Sequence, residues 1–272
     1  YAKSMLDFGA TNYQGNYLHY GIREHVMGAV MNGLALGGFK TFGGTFFSFF
    51  DYVKPAVRMS AIMNLPVVYV MTHDSIGVGE DGPTHQPIEQ LAMARATPNL
   101  HTIRPADMIE TIEAWEFALQ SKSPTMLVLS RQNLPTLRTE ASKNLVAKGG
   151  YILKPVLGER DITLIATGSE VSLALQIAEK FESEGKHVAL VSMPCTSLFD
   201  NQNEAYKQEV LGDDNHLRVS IEAASTFGWA KYAKLNIGLD RFGESGKGEA
   251  VYTHLGLDIQ TIYGKIKNSL KA

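Results

Sequence analysis

A polar stretch at residues 72–87 holds the densest group of side chains that could do chemistry. It reads Thr-His-Asp-Ser-Ile-Gly-Val-Gly-Glu-Asp-Gly-Pro-Thr-His-Gln-Pro, with two histidines, three acidic residues and three glycines. Near neutral pH a histidine can carry a proton or donate a hydrogen bond to an anion, and glycine lets the backbone approach a ligand closely. Since ordering such a loop costs conformational entropy, we predict a functional loop in preference to a solvated surface turn.

A metal site is a second interpretation of the same stretch. Its possible ligands are His73, Asp74, Asp81 and His85. The two histidines do not have the i, i+4 spacing of a HExxH motif. Proton transfer and anion binding are therefore favoured over metal binding, and we assign no metal ligand in this chain.

Glu24 is a second candidate, at the start of a predicted helix that is apolar over most of its circumference. Such a helix is expected to be buried, and a carboxylate at a helix N-terminus is stabilised by the free N–H groups there. Glu24 is then either a cap or ion-pair partner of Arg23, or a buried acid that hydrogen-bonds a ligand.

Three aromatic residues, Phe46, Phe49 and Tyr52, recur at a spacing of three. On a helix this spacing would place them along one face. Aromatic stripes of this kind usually belong to a core, so the spacing alone favours core packing over contact with a cofactor.

These candidates must be positioned by the surrounding elements, and the apolar pattern predicts an α/β fold. Short apolar runs, typical of strands in a parallel sheet covered on both faces, alternate with helical segments. Strands are predicted at residues 67–71, 101–103, 126–129, 162–166, 188–192 and 217–222. Helices are predicted at residues 24–36, 52–63, 86–96, 107–120, 171–184, 226–234 and 264–270. In such sheets ligands bind beyond the carboxyl ends of the strands, where both the 72–87 stretch and Arg131 fall.

The composition sets the broad class of the protein. The 272 residues predict two domains, and we place a polar linker between them at residues 133–150. A net charge of −3 gives no basic surface for nucleic acid, and no apolar run reaches the length of a membrane span. The single cysteine, Cys195, excludes an intramolecular disulfide. We see no export signal and expect a cytoplasmic protein. The chain starts with Tyr1 instead of Met, so we expect a removed Met or a longer chain.

Four segments together resemble the transketolase family over essentially the whole chain. They are the His-Tyr-Gly-Ile-Arg-Glu segment ending at Glu24, the 72–87 stretch, Leu-Ser-Arg-Gln-Asn at 129–133, and Ala-Thr-Gly-Ser-Glu-Val at 166–171. Deoxyxylulose-phosphate synthase and the pyruvate dehydrogenase β-subunit share the fold and the glutamate but lack the 72–87 stretch in this form. The resemblance implies two three-layer α/β domains with mostly parallel sheets. Residues 1–140 would form the pyrimidine-binding domain of the thiamine diphosphate-binding fold, and residues 150–272 the transketolase C-terminal domain.

The resemblance also implies a cofactor, thiamine diphosphate, with Mg or Ca. The family's diphosphate and metal motif, Gly-Asp-Gly followed by Asn, is missing from this sequence. The metal ligands are therefore expected on a domain that this chain lacks. The implied partners are sugar phosphates, a second copy of the chain, and a separate chain that carries the diphosphate domain.

Each candidate residue receives a role from the resemblance. Glu24 would hydrogen-bond N1′ of the cofactor's pyrimidine from a water-poor site, and Phe46, Phe49 and Tyr52 would pack around that ring. The substrate contacts are assigned to four residues: His73 and Arg131 would bind the phosphate, Asp81 a hydroxyl, and His85 the C1 hydroxyl and carbonyl oxygen, with a part in proton transfer.

The implied activity is the reversible transfer of a two-carbon ketol unit from a ketose phosphate to an aldose phosphate, in the pentose phosphate pathway. The alternatives are a dihydroxyacetone synthase, a component similar to a dehydrogenase β-subunit, or a truncated and inactive fragment. Two segments depart from the family pattern. Leu36-Gly37-Gly38 lacks a histidine, and Phe-Gly-Glu-Ser-Gly-Lys-Gly at 242–248 replaces Ser-Ala-Pro. We expect the second segment to lie far from the site.

Overall fold

A computed structural model describes residues 5–156 and 158–271 of the chain. Within these residues the first sheet is parallel throughout, with spatial order β1-β2-β4-β3. Its strands are β1 (Phe42–Phe46), β2 (Val68–Thr72), β3 (His101–Ile103) and β4 (Thr125–Leu129). The helices of this unit are α1 (Glu24–Leu36), α2 (Phe50–Ile62), α3 (Gln90–Arg95) and α4 (Met108–Gln120).

The second sheet has the order β5-β7-β6-β8-β9 and is parallel except for β5. Its strands are β5 (Tyr151–Lys154), β6 (Ile162–Ala166), β7 (Val188–Ser192), β8 (Leu217–Ile221) and β9 (Leu235–Ile237). Its helices are α5 (Glu170–Ser183), α6 (Thr196–Asp200), α7 (Glu204–Leu211), α8 (Gly248–His254) and α9 (Ile259–Ser269). The prediction of two α/β units with mostly parallel sheets is confirmed. Among the described helices, none is both long and apolar enough to cross a membrane.

The register of the first sheet brings three strand ends to one level. Phe46 at the end of β1 pairs with Thr72 at the end of β2, and Thr72 pairs with Leu129 at the end of β4. Because these strands are parallel, the residues that follow them meet at one edge of the sheet. His73 and Arg131 therefore leave the sheet on the same side.

Helices α1 and α2 pack in the same direction. A Cβ on Gly28 would lie 2.7 Å from a Val53 methyl carbon and 2.8 Å from the Ala56 Cβ, so only glycine allows this approach. One turn further along, the Asn32 side-chain amide donates to the Ala56 carbonyl over 2.8 Å. The N-terminal ends of the two helices, one of which starts at Glu24, therefore lie at the same edge of the unit.

The expectation that α1 is buried on all sides is wrong for this chain. Met27, Gly28, Met31 and Asn32 are buried, whereas Val26, Val30 and Leu36 are exposed. The helix packs on α2 and the sheet through one face only.

Several predicted elements differ from the observed ones because local turn chemistry decides their limits. The helix predicted at 226–234 is one 3₁₀ turn, Trp229–Lys231, preceded by Gly228 in the left-handed region at φ +96°. The last helix begins earlier than predicted, because the Asp258 carboxylate accepts from the backbone N–H groups of Gln260 and Thr261. Strands β1, β5 and β9 and helices α6, α7 and α8 were not predicted.

The segment predicted as a linker lies fixed against α4. Glu113 on α4 pairs with Arg138 over 2.6 Å and accepts from the backbone N–H groups of Leu145 and Val146. Val146 is fully buried. The segment is thus part of the packed structure, and the domain limits at residues 140 and 150 stay a prediction.

Candidate active site

Five rings form one surface at the carboxyl edge of the first sheet. Phe46 stacks on the imidazole of His73, with centroids 3.6 Å apart, and on Phe49 at 5.9 Å. Phe49 in turn contacts Tyr52 at 5.9 Å and the imidazole of His85 at 5.5 Å. The structure thereby brings together both histidines of the 72–87 stretch and all three aromatic residues singled out by their spacing.

The aromatic spacing arises from three different elements instead of one helix. Phe46 ends β1, Phe49 lies in a 3₁₀ turn, and Tyr52 lies in the first turn of α2. Core packing is carried by the neighbouring Phe47 and Phe50, which are fully buried.

Exposure decides between the two interpretations of the aromatic spacing. Phe46 and Phe49 are half-buried, and Tyr52 is exposed. The core interpretation is therefore wrong for these three residues, and their open faces can meet a planar ligand.

His73 has a backbone conformation that non-glycine residues rarely adopt, with φ at +61°. Its Nδ1 and the hydroxyl of Thr72 are 2.9 Å apart and share a hydrogen bond. Burial lowers the pKa of His73, and the positive charge of Arg131 lowers it further, partly offset by Asp81 and Asp74. The imidazole is consequently mostly neutral at pH 7 and can donate one N–H to an anion.

The other charged candidates act electrostatically on His73. Arg131 and His85 lower the pKa of its imidazole, whereas Asp81 raises it. Arg131 and Asp81 are exposed, whereas His85 is half-buried and hydrogen-bonded through Nδ1 to the Thr84 hydroxyl at 2.9 Å. The arrangement offers a cation, an acceptor and two imidazoles to one ligand.

One of the four possible ligands in the metal interpretation of the 72–87 stretch already has a partner. Asp74 is buried, and its carboxylate accepts from the Arg104 guanidinium over 2.9 Å. Across residues 5–156 and 158–271, no three His, Cys, Asp or Glu side chains lie close enough to hold one metal ion.

Glu24 is the first residue of α1 and is half-buried. The proposed ion pair with Arg23 does not form, because the Arg23 guanidinium donates to the Tyr20 carbonyl over 2.8 Å. In the described part of the chain, the Glu24 carboxylate accepts no hydrogen bond. It therefore keeps its hydrogen-bonding capacity for a ligand at the edge where the 3₁₀ turn of Phe49 leads into α2.

Sequence reasoning missed a buried network behind the site. Arg104, Glu170 and Glu222 are each at most 1% exposed and connect the two units through ion pairs. The sequence signal was an arginine directly after a predicted strand, and its partners in the second unit, Thr167 and Glu170, are 63 and 66 residues away in sequence.

The expectation that residues 242–248 lie far from the site is also wrong. The side-chain amide of Gln86 donates to the Glu244 carbonyl over 3.0 Å, and the Ser245 hydroxyl donates to the Glu80 carbonyl over 2.6 Å. The segment lies against the 72–87 stretch because a glycine-rich chain allows this close backbone approach.

The site is an open surface on this chain. A cavity of about 190 Å³ lies elsewhere, where α3 meets the Trp229 turn, and it is lined by none of the predicted site residues. A second cavity borders α7 and is likewise lined by none of the predicted site residues.

Two family models match the chain. The model of the transketolase pyrimidine-binding domain matches residues 2–136. The model of the transketolase-like C-terminal domain matches residues 149–258.

Individual relatives match over nearly the whole chain. The transketolase of Halalkalibacterium halodurans is 50% identical over 99% of this chain, and that of Bacillus subtilis is 49% identical over 97%. In both comparisons the match covers 41% of the relative, so the chain spans about two fifths of the length of these proteins.

Solved structures show the same pattern. A Pichia stipitis transketolase in complex with sedoheptulose 7-phosphate has a TM-score of 0.94 and 44% identity, covering 100% of this chain and 41% of that one. A split-gene transketolase, described as an inactive β4 tetramer, has a TM-score of 0.78 and 23% identity, covering 94% and 84%. At that identity the second likeness concerns the fold alone.

Proposed function

The chain belongs to the transketolase family, and on this premise we propose that it is the pyrimidine-binding and C-terminal part of a transketolase. The complete enzyme would reversibly transfer a two-carbon ketol unit from a ketose phosphate to an aldose phosphate, a reaction of the pentose phosphate pathway. One observation carries the proposal. The ring surface of Phe46, Phe49 and the two histidines lies beside Arg131 at the carboxyl edge of a parallel sheet.

The chain's residues fit the pyrimidine half of thiamine diphosphate. Phe46 and Phe49 are half-buried and stacked nearly in parallel, at an interplanar angle of 6°, and Tyr52 extends their surface. Such rings favour contact with a planar heterocycle. When bound, the cofactor supplies a nucleophilic carbon and an electron sink.

Glu24 would hold or share a proton with the ring nitrogen N1′ of the pyrimidine. Its carboxyl has no competing hydrogen bond in the described residues, and its position in the first turn of α1 places free backbone N–H groups nearby.

The substrate contacts follow from charge and position. Arg131 would bind the phosphate through its planar guanidinium, and His73 would add a neutral N–H donor because its pKa is lowered. Asp81 would accept a hydrogen bond from a substrate hydroxyl. His85, whose ring is oriented by Thr84, would contact the carbonyl oxygen and C1 hydroxyl and assist proton transfer.

We propose that a domain outside this chain holds the diphosphate and the Mg or Ca ion. It would belong either to a separate chain or to a longer form of this one.

Large apolar side chains of α1 and α2 are exposed, namely Val26, Val30, Leu36, Met59 and Ile62. They support a homodimer with an interface along these helices. The free and buried Cys195 agrees with the cytoplasmic location that we propose.

The test is a transfer assay with xylulose 5-phosphate and ribose 5-phosphate, in the presence of a family diphosphate domain, thiamine diphosphate and magnesium. We expect transfer in the complete mixture, and weak or no cofactor binding to the isolated chain in calorimetry. Transfer to formaldehyde or decarboxylation of a 2-keto acid instead would identify a dihydroxyacetone synthase or a dehydrogenase component. No activity with any of these substrates would identify an inactive fragment.

Arg131→Ala should raise the KM for phosphorylated sugars by roughly ten- to a hundredfold, since a hydrogen bond to a charged group contributes about 1.5–3 kcal/mol. The KM for the corresponding unphosphorylated sugars should change little. Steady-state kinetics on matched pairs of substrates measures the difference.

The same variant has an internal check on its fold. Loss of the Arg131 charge should raise the pKa of His73, which is followed by NMR titration of its ring protons. Equal changes in KM for both classes of sugar, with the His73 pKa raised as expected, would remove Arg131 from phosphate binding.

A further inference from the structure

We infer that Gln86 and Arg104 are positioning residues that make the second unit part of the active site. They tie the 72–87 stretch, called the site turn below, to residues of the second unit. The inference rests on the proposed function, because that function supplies the reaction that this positioning serves. The tie itself is a property of the chain and can be measured without the reaction.

Gln86 forms the first tie. It is 3% exposed, and its side-chain Nε2 donates to the carbonyl of Gly79 within the site turn and to that of Glu244 in the second unit, each over 3.0 Å. The Ile76 carbonyl lies 3.4 Å from the same nitrogen. One amide group thus closes the site turn on itself and holds it to the second unit.

Close backbone packing surrounds this tie. A Cβ on Gly243 would lie 1.9 Å from the Gln86 Oε1, and a Cβ on Gly79 would lie 3.0 Å from the Gly246 carbonyl oxygen. The Ser245 hydroxyl adds a hydrogen bond of 2.6 Å to the Glu80 carbonyl. The segment at 242–248 therefore forms a wall that the site turn fits against without space for a larger residue.

Arg104 forms the second tie. Its fully buried guanidinium donates through Nε to Asp74 in the site turn over 2.9 Å. Through Nη1 it donates to the Thr167 carbonyl over 2.9 Å, and it is ion-paired with Glu170 of the second unit. Because guanidinium geometry is planar and fixed, the position of Asp74 is set by Thr167 and Glu170.

Each tie lies one residue from a histidine of the site. Asp74 follows His73, and Gln86 follows His85. The left-handed backbone of His73 persists only if its surroundings hold it. The second unit thus sets the positions of both imidazoles, although no residue of that unit belongs to the predicted site.

Gly243→Ala tests the first tie, because its new Cβ must displace the Gln86 amide. Gly264→Ala is the matched control, since nothing lies within 4 Å of that position. We expect amide hydrogen exchange of peptides from residues 76–86 to become at least tenfold faster in Gly243→Ala, with exchange in strand β7 unchanged. In the completed enzyme, kcat should fall about tenfold while the melting temperature stays near that of the control.

Gln86→Glu is the second variant and keeps the side chain's size. It replaces the donating amide by a carboxylate that faces the carbonyl oxygens of Gly79 and Glu244, so the same faster exchange is expected even if Gly243→Ala fails to fold. Unchanged exchange at 76–86 in whichever variant folds would overturn the inference, as would an equal increase throughout the chain. An inactive parent enzyme would overturn the proposed function. The hydrogen-exchange result would then still test whether the second unit holds the site turn in place.

Discussion

Glu24→Gln should lower the kcat of the completed enzyme by about two to four orders of magnitude, the range typical of a lost acid–base group. The glutamine keeps the size of the side chain but cannot hold or share the proton that the role at N1′ requires. The half-buried position at the start of α1 and the absence of a competing hydrogen bond in the described residues support this role. Steady-state turnover at saturating cofactor measures the effect.

The fold should tolerate this change. In the described structure the Glu24 side chain contributes only its charge at a helix N-terminus, an effect of about 0.3–1 kcal/mol. Glu179→Gln, an exposed carboxylate on α5, is the matched control and should leave kcat unchanged. Turnover of Glu24→Gln within tenfold of the parent would reject the proton role.

The fold was predictable where local sequence carries a strong signal. Strand β7 and helix α1 have their predicted limits, because a short continuous apolar run and a terminating glycine pair are local features. Strand β5 was missed because it is a half-buried strand at the sheet edge, paired antiparallel with β7. No local pattern distinguishes such a strand from a loop.

The site was predictable in its residue types and only partly in its contacts. The spacing of Phe46, Phe49 and Tyr52 could not reveal that the adjacent Phe47 and Phe50 fill the core and leave these rings open. That division depends on how β1 passes into α2 through a 3₁₀ turn, which periodicity does not specify.

Long-range polar contacts could not be predicted from the sequence for another reason. Arg104 and Gln86 are ordinary polar residues in the sequence, and their importance comes from partners in the second unit. The segment at 242–248 was expected to be remote from the site, yet nothing in the sequence specifies its distance in space from the site turn. Its contact with the site turn emerged only from the packing of the two units.

A related polar contact between the two units leads us to expect that acid lowers the free energy of unfolding. Both terminal nitrogens of Arg95, in α3, donate a hydrogen bond to the Glu222 carboxylate, each over 2.7 Å. The Thr167 hydroxyl and the Trp229 indole N–H donate to the same carboxylate. Burial opposes ionisation of Glu222, but Arg95, the charge of Arg104 and the Thr167 hydroxyl outweigh it and lower its pKa from 4.5 to about 2.

Glu222→Gln should therefore destabilise the chain by about 3–5 kcal/mol at pH 7, because it leaves the charge of Arg95, which is only 13% exposed, without its buried partner. A carboxyl whose pKa falls on folding stabilises the fold above its unfolded pKa. In the parent, the contribution of Glu222 to the free energy of unfolding should thus fall by about 3 kcal/mol as the pH falls from 4.5 towards 2. The variant lacks this dependence, so the gap in unfolding free energy between parent and variant should narrow from pH 4.5 to 2.

Urea unfolding at stepped pH measures the unfolding free energies of the parent and of Glu222→Gln, with Glu179→Gln as the control. A gap that stays constant from pH 4.5 down to 2 would show that folding does not lower the pKa of Glu222.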